Sequence, residues 1–227
     1  MNDPKFATLQ KVRNGKKTFG ITPRIPGGFI SPEQLIKIGE IAKKYKGTLK
    51  ITSGQRVAIL GLQPEDVPLV WKELDMEPAV LSPYSVKNVE MCPASFCKRA
   101  KQNSLRLGMK LEKALYGTPT PNRTKVGVAG CRNACTSVYS KDIGIIADVD
   151  GYMVTVGGSA GFHQRLSEIV TVGLREEDAF LVVRIILDYY NTHGSMGEKM
   201  GAFIDRIGFT HFQKEVMKIL NNEKNKS

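Results

Sequence analysis

Gly130-Cys131-Arg132-Asn133-Ala134-Cys135, followed after five intervening residues by Lys141-Asp142-Ile143-Gly144, is the stretch on which the reading of this chain turns. Its C-x3-C pair joins an upstream C-x4-C pair, Cys92 and Cys97, within Met91-Cys92-Pro93-Ala94-Ser95-Phe96-Cys97. Together these are all 4 cysteines among 227 residues. Four thiolates can hold a [4Fe–4S] cluster or one zinc ion. Structural zinc sites favour short C-x2-C knuckles, and neither pair has that spacing. Four unrelated buried thiols would behave as small apolar residues, but the grouping of every cysteine into two close pairs argues against that.

Outward from this stretch, the chain reads as a two-part α+β protein. Lys17–Arg24 is expected to be a strand that ends at Pro26-Gly27-Gly28. Ser31-Pro32-Glu33-Gln34 then opens a helix, with Ser31 as N-cap, Pro32 at the first helical position and Gln34 completing a capping box. Leu35, Ile38, Ile41, Ala42 and Tyr45 share one face of that helix. Thr48–Thr52 and Val57–Leu60 read as strands, and Pro64–Leu74 as a second helix. This β-α-β-β-α order is close to a ferredoxin-like pattern. The pattern breaks around Pro78–Pro83, which places the domain boundary between residues 78 and 79.

Beyond the boundary, Cys97–Leu115 carries helical spacing. Val126–Ala129 is a short buried strand. Asp142–Val149 and Tyr152–Val156 form a hairpin through Asp150-Gly151, a strong turn signal. Gly157–Gly161 is a Gly-rich loop. Glu176–His193 and Met196–Ile207 read as helices, and Thr210 with Gln213 as a capping box for the last one. Asn221–Ser227 reads as a frayed polar tail.

The motifs in combination resemble those of the sirohaem and [4Fe–4S] nitrite and sulfite reductases. That family pairs an upstream C-P-containing cysteine couple with G-C-x-N-x-C and then D-I-G. Pro26-Gly27-Gly28, the helix start at Ser31–Gln34 and Thr52-Ser53-Gly54-Gln55-Arg56 match the family's preceding half-domain, so the resemblance runs from about Lys17 to Lys218. It implies a ferredoxin-like half-domain over residues 1–78, followed by an α/β sirohaem and iron–sulfur binding domain over residues 79–227. The family's upstream pair is usually C-x5-C, so one residue fewer is absorbed here. Larger members hold two copies of this unit, and this chain has one.

The resemblance also implies roles. Cys92, Cys97, Cys131 and Cys135 would hold the cluster, with Cys135 also bridging to the sirohaem iron. Arg56, Arg123 and Lys125 would hold a small oxyanion, sulfite or nitrite, because they donate several hydrogen bonds and carry positive charge at neutral pH. Arg24 matches a further family arginine only weakly. Sirohaem carries acetate and propionate carboxylates that need cationic and backbone N–H donors. Candidates for that cradle are Thr52, Gln55, Lys87, Asn133, Gly158 and Arg165.

Composition is that of an ordinary globular protein, 41% hydrophobic and 24% charged. The excess of 33 basic over 22 acidic residues, +11, calls for an anionic partner. Nucleic acid is not expected, because the basic residues are scattered and no aromatic–basic stacking platform accompanies them. An electron carrier or accessory protein without turnover is a further alternative, against which Arg56, Arg123 and Lys125 speak. No apolar run reaches about 18 residues, so no membrane span is expected. The start of the chain lacks a signal-peptide pattern, which points to the cytoplasm. Electrons would come from an external donor such as ferredoxin, and a homo-oligomer or partner complex is expected.

Overall fold

A computed structural model describes residues 3–225. The chain divides into two compact units, the first running to Leu81 and the second starting at Ser82.

In the first unit, β1 (Thr8–Leu9), β2 (Phe19–Ile21), α1 (Pro32–Lys44), β3 (Thr48–Ile51), β4 (Val57–Leu62) and α2 (Asp66–Leu74) follow one another. The strands form a sheet in the order β1-β2-β4-β3. All its pairings are antiparallel. The capping box at the start of α1 is present in full. Ser31 Oγ accepts from the Gln34 N–H, and Gln34 Oε1 accepts from the Ser31 N–H. Ile38, Ile41 and Ala42 of α1 join Val67, Val70 and Leu74 of α2 in covering Phe19, Ile21, Ile59 and Leu62. Leu35 was expected on that face but is exposed. It lies in the first turn of the helix, while burial starts at Ile38.

In the second unit, β5 (Val86–Met91), α3 (Ser104–Leu115), β6 (Thr124–Ala129), β7 (Ile143–Asp148) and β8 (Gly151–Val156) come first. Two short strands, β9 (Ser159–Ala160) and β10 (Gln164–Arg165), form a ribbon. β11 (Glu168–Leu174), α4 (Glu176–His193), α5 (Met200–Ile207) and α6 (Phe209–Lys224) complete it. The main sheet has the order β11-β8-β7-β6-β5. β5, β6 and β7 are parallel, and β8 and β11 are antiparallel additions. Val89, Met91, Val126, Val128, Ile143 and Ile145 pack with α3, α4 and α6 side chains in one large core. Alternation then turns Asn88, Glu90, Lys125 and Gly127 to the opposite face.

Several expectations need correction. The first helix of this unit does not begin at Cys97 but at Ser104, where the Asn103 side chain accepts from the Arg106 N–H. The Lys101 N–H instead donates to Gly130 O, so the segment after Cys97 is tied to a strand end and cannot wind. The helix expected from Met196 begins at Met200. No capping box forms at Thr210. The helix starts two residues earlier, with Gly208 as its N-cap, and the Gln213 amide turns away to the carbonyls of Ile169 and Val170. α6 runs on to Lys224, so residues 221–224 are helix rather than tail; residues 226 and 227 lie outside the described residues. β11 has no counterpart in the sequence reading, because two register shifts break its period-two pattern.

Replacing Ser31 with Ala removes one half of the reciprocal cap. Urea unfolding is expected to show a loss of about 1 kcal/mol, with no loss if Gln34 alone holds the helix start.

Candidate cofactor and oxyanion site

The two cysteine loops leave the same end of the sheet. β5 and β6 are parallel and in register, with Met91 opposite Val128. Cys92 follows directly on β5, and Gly130-Cys131 follows on β6. The Cys92 N–H donates to Val128 O at 3.2 Å. The Gly130 N–H donates to Cys92 Sγ at 3.1 Å. A Cβ on Gly130 would stand 3.3–3.4 Å from Ala94 and Ala100, so the loops pack closely and a larger residue would push its neighbours by a few tenths of an ångström. Each loop holds one alanine in the left-handed region, Ala94 at φ 33° and Ala134 at φ 50°. Such residues concentrate at ligand clamps.

All four thiols are free, and their exposure rises from Cys92, which is buried, to Cys135, which is exposed. The Asn133 amide donates to Cys135 Sγ at 3.0 Å. Two of the four sulfurs thus already receive N–H donors, and hydrogen bonds to the sulfurs tune an iron–sulfur centre. Among the described residues no group of three or more His, Cys, Asp or Glu side chains converges on one metal ion. A four-iron cluster is wider than a single ion, so its thiolates stand farther apart than four ligands of one zinc. The donor chemistry and the meeting of the two loops fit such a cluster.

A cationic cleft lies at the opposite end of β6. Arg123, Lys125, Ser140, Lys141, Asp142 and Lys199 line an open cavity of about 270 Å³ together with the Gly158–Gly161 loop. The structure brings Arg123, Lys125 and Gly158 together here. β6 is six residues long, about 20 Å at the usual rise, so within one chain the cleft and the cysteine loops stand a strand's length apart. Gly158 is held against the neighbouring backbone: a Cβ there would lie 2.5 Å from Tyr139 O and 2.6 Å from Lys141 O.

Lys141, Asp142 and Lys199 were given no role from sequence. Lys141-Asp142 stands inside the opening stretch, but only the fold turns it into the cleft. Lys199 carries no local signal. The Lys141 ammonium sits 2.6 Å from Glu90 Oε2, both side chains largely buried, and Glu90 accepts from Asn88 on its other oxygen. Removing one partner of such a pair costs about 3–5 kcal/mol, so Lys141 is anchored. Asp142 Oδ2 accepts the Lys125 N–H at 2.8 Å. Burial pushes the Asp142 carboxyl above the usual aspartate range, partly offset by that N–H and by the charges of Lys199 and Lys125.

The remaining sequence candidates make contacts of their own. The Arg165 guanidinium binds Asp205, Glu168 and Gly157 O. The Lys87 ammonium donates to Ser82 O at 3.1 Å. In the first unit, the Thr52 N–H donates to Arg56 O at 2.8 Å and the Arg56 N–H donates to Thr52 Oγ1 at 3.2 Å. This turn carries Gln55 at φ 60°. Gln55 packs on Gly28, so the Pro26-Gly27-Gly28 motif and the Thr52–Arg56 motif meet in that unit. Arg24 is ion-paired with Glu77.

Comparison with known proteins defines the class. Residues 84–224 match the family described as the nitrite and sulphite reductase 4Fe-4S domain. Residues 10–77 match the nitrite/sulfite reductase ferredoxin-like half domain. The chain therefore belongs to the nitrite and sulphite reductase 4Fe-4S family. It is 29% identical over 218 residues to an assimilatory-type sulfite reductase of Nitratidesulfovibrio vulgaris, covering 95% of this chain and 99% of that protein. It is 31% identical over 215 residues to a nitrite reductase [NAD(P)H] of Bacillus subtilis, covering 94% of this chain but only 26% of the relative. The solved structure of the Mycobacterium tuberculosis NirA protein shares the fold at a TM-score of 0.78 and 17% identity, over 90% of this chain and 40% of that one. Among the described residues no helix is long and apolar enough to cross a membrane.

Asp142 makes stability depend on pH. A carboxyl whose folded pKa is raised binds its proton more tightly folded than unfolded. Its contribution is therefore fully present below the ordinary aspartate pKa of about 4 and falls as pH rises through the folded value. Asp142→Asn keeps an acceptor for the Lys125 N–H and removes the buried charge. Denaturant unfolding is expected to show the variant gaining on the wild type as pH rises from 4 to 8 in roughly unit steps; a constant difference would contradict it.

Proposed function

We propose that this chain carries out the sirohaem-dependent six-electron reduction of a small oxyanion, sulfite to sulfide first, with nitrite to ammonia close behind. One observation carries the reading: two cysteine loops meet at the carboxyl ends of adjacent parallel strands, where open α/β sheets bind their ligands. The name of the Nitratidesulfovibrio vulgaris relative, matched over nearly the full length of both chains, supports sulfite as the first substrate.

Cys92, Cys97, Cys131 and Cys135 would hold the [4Fe–4S] cluster, and Cys135, the exposed one, would also reach the sirohaem iron. When bound, the cluster and sirohaem supply the electron path to the oxyanion. Arg56, Arg123 and Lys125 would hold that anion and offset its charge as electrons are added; because the cleft and the cysteine loops of one chain stand a strand's length apart, the cleft would serve the cofactors of a second copy in the homo-oligomer. Thr52, Gln55, Lys87, Asn133, Gly158 and Arg165 are the candidates for the sirohaem carboxylates. Arg165 would have to exchange Asp205 or Glu168 for that role. Electrons come from an external protein such as ferredoxin or a partner subunit, and the chain works as a homo-oligomer or in a partner complex. We place it in the cytoplasm.

The direct test is reduction of sulfite and of nitrite by the anaerobically purified protein with a reduced dye. Cys135→Ala is expected to abolish both the coupled haem–cluster spectrum and turnover; unchanged turnover would remove the bridging role. Lys125→Ala is expected to lower turnover by at least about 10-fold with the haem retained. Loss of haem instead would move Lys125 to the cofactor cradle.

A further inference from the structure

Among the described residues, the cleft that holds Arg123 and Lys125 contains one acid. Its other charged walls are Lys141 and Lys199, and Ser140 and Ser159 add hydroxyls. Anion reduction in such a cleft has a proton problem. Turning sulfite into sulfide takes six electrons and six protons, and each departing oxygen leaves as water. Guanidinium and ammonium groups bind the anion well but give up protons poorly near neutrality. Proton delivery is most effective from a group whose pKa lies near the working pH.

From this geometry we propose that Asp142 is the proton donor of the oxyanion cleft, its carboxylic acid giving up its proton to an oxygen of the bound anion. This rests on the reductase reading and deepens it. Asp142 is buried, lines the cavity, and is fixed through Oδ2 by the Lys125 N–H. It is thereby joined to the same residue that is proposed to hold the anion. The groups facing it are Lys125 from β6, Lys199 from the start of α5 and Tyr190 from α4. Burial raises the Asp142 carboxyl above the usual aspartate range, against the pull of the two lysines. In each transfer the Asp142 O–H bond breaks, a new O–H bond forms on the substrate oxygen, and Asp142 is left as carboxylate. A proton from solvent restores it, with Ser140 and Ser159 placed along the cleft wall. The electrons come from the external one-electron donor, so Asp142 undergoes no redox change.

The test compares the cofactor-loaded wild type with Asp142→Asn and Asp142→Glu. Infrared difference spectra across pH 5 to 8, in steps of about one unit, are expected to show a carboxylic-acid C=O band that fades with rising pH and is missing from Asp142→Asn. With saturating reduced dye, Asp142→Asn is expected to lower sulfite turnover about 100-fold. KM should stay within about 2-fold and the haem spectrum should not change. Asp142→Glu restores part of the rate. Asp142 ionised throughout that range, or an Asn variant with wild-type turnover, overturns the assignment. A wild type that reduces neither sulfite nor nitrite overturns the reductase reading itself, and the proton role falls with it.

Discussion

The in-register parallel pairing of β5 with β6 is the constraint on which the site depends. It sets Met91 beside Val128, so that the two cysteine pairs, far apart in sequence, start from the same edge of the sheet. Three hydrogen bonds close the junction: Cys92 N–H to Val128 O, Gly130 N–H to Cys92 Sγ and Lys101 N–H to Gly130 O. A one-residue slip would exchange the two faces of β5. Cys92 would then move to the core side and Met91 to the cofactor side. Core packing of Val89, Met91, Val126 and Val128 opposes that slip, so the hydrophobic core and the thiolate set are specified by the same pairing.

The charge excess acquires an address from this arrangement. Four of the basic residues, Arg123, Lys125, Lys141 and Lys199, converge on one cavity whose single acid is buried. Lys141 is compensated from behind by Glu90. Elsewhere Arg106 and Arg206 pair with the largely buried carboxylates of Glu176 and Glu198.

Legibility in the sequence followed locality. The α1 capping box, the Asp150-Gly151 hairpin and the span of α4 were all readable, because each is set by residues a few positions apart. β11 was not, since two register shifts erase its alternation. The start of α3 was misjudged because its competitor, Gly130 O, lies on another strand. The site divides the same way. The cysteine pairs announce themselves by spacing, and Arg123 and Lys125 by their place before the C-x3-C pair. Asp142, Lys199 and the Glu90 anchor became visible only when β5, β6 and β7 were laid side by side. The Asn133 amide sits on the Cys135 sulfur, a contact that two residues of spacing permit but do not demand.

The central claim is that these four cysteines form one iron–sulfur site. Iron and acid-labile sulfide analysis of anaerobically purified protein, combined with Mössbauer spectroscopy, tests it most directly. The account predicts about four cluster irons and four sulfides per chain, with all-sulfur coordination, beyond the iron of the sirohaem. About one zinc per chain and no labile sulfide would contradict it.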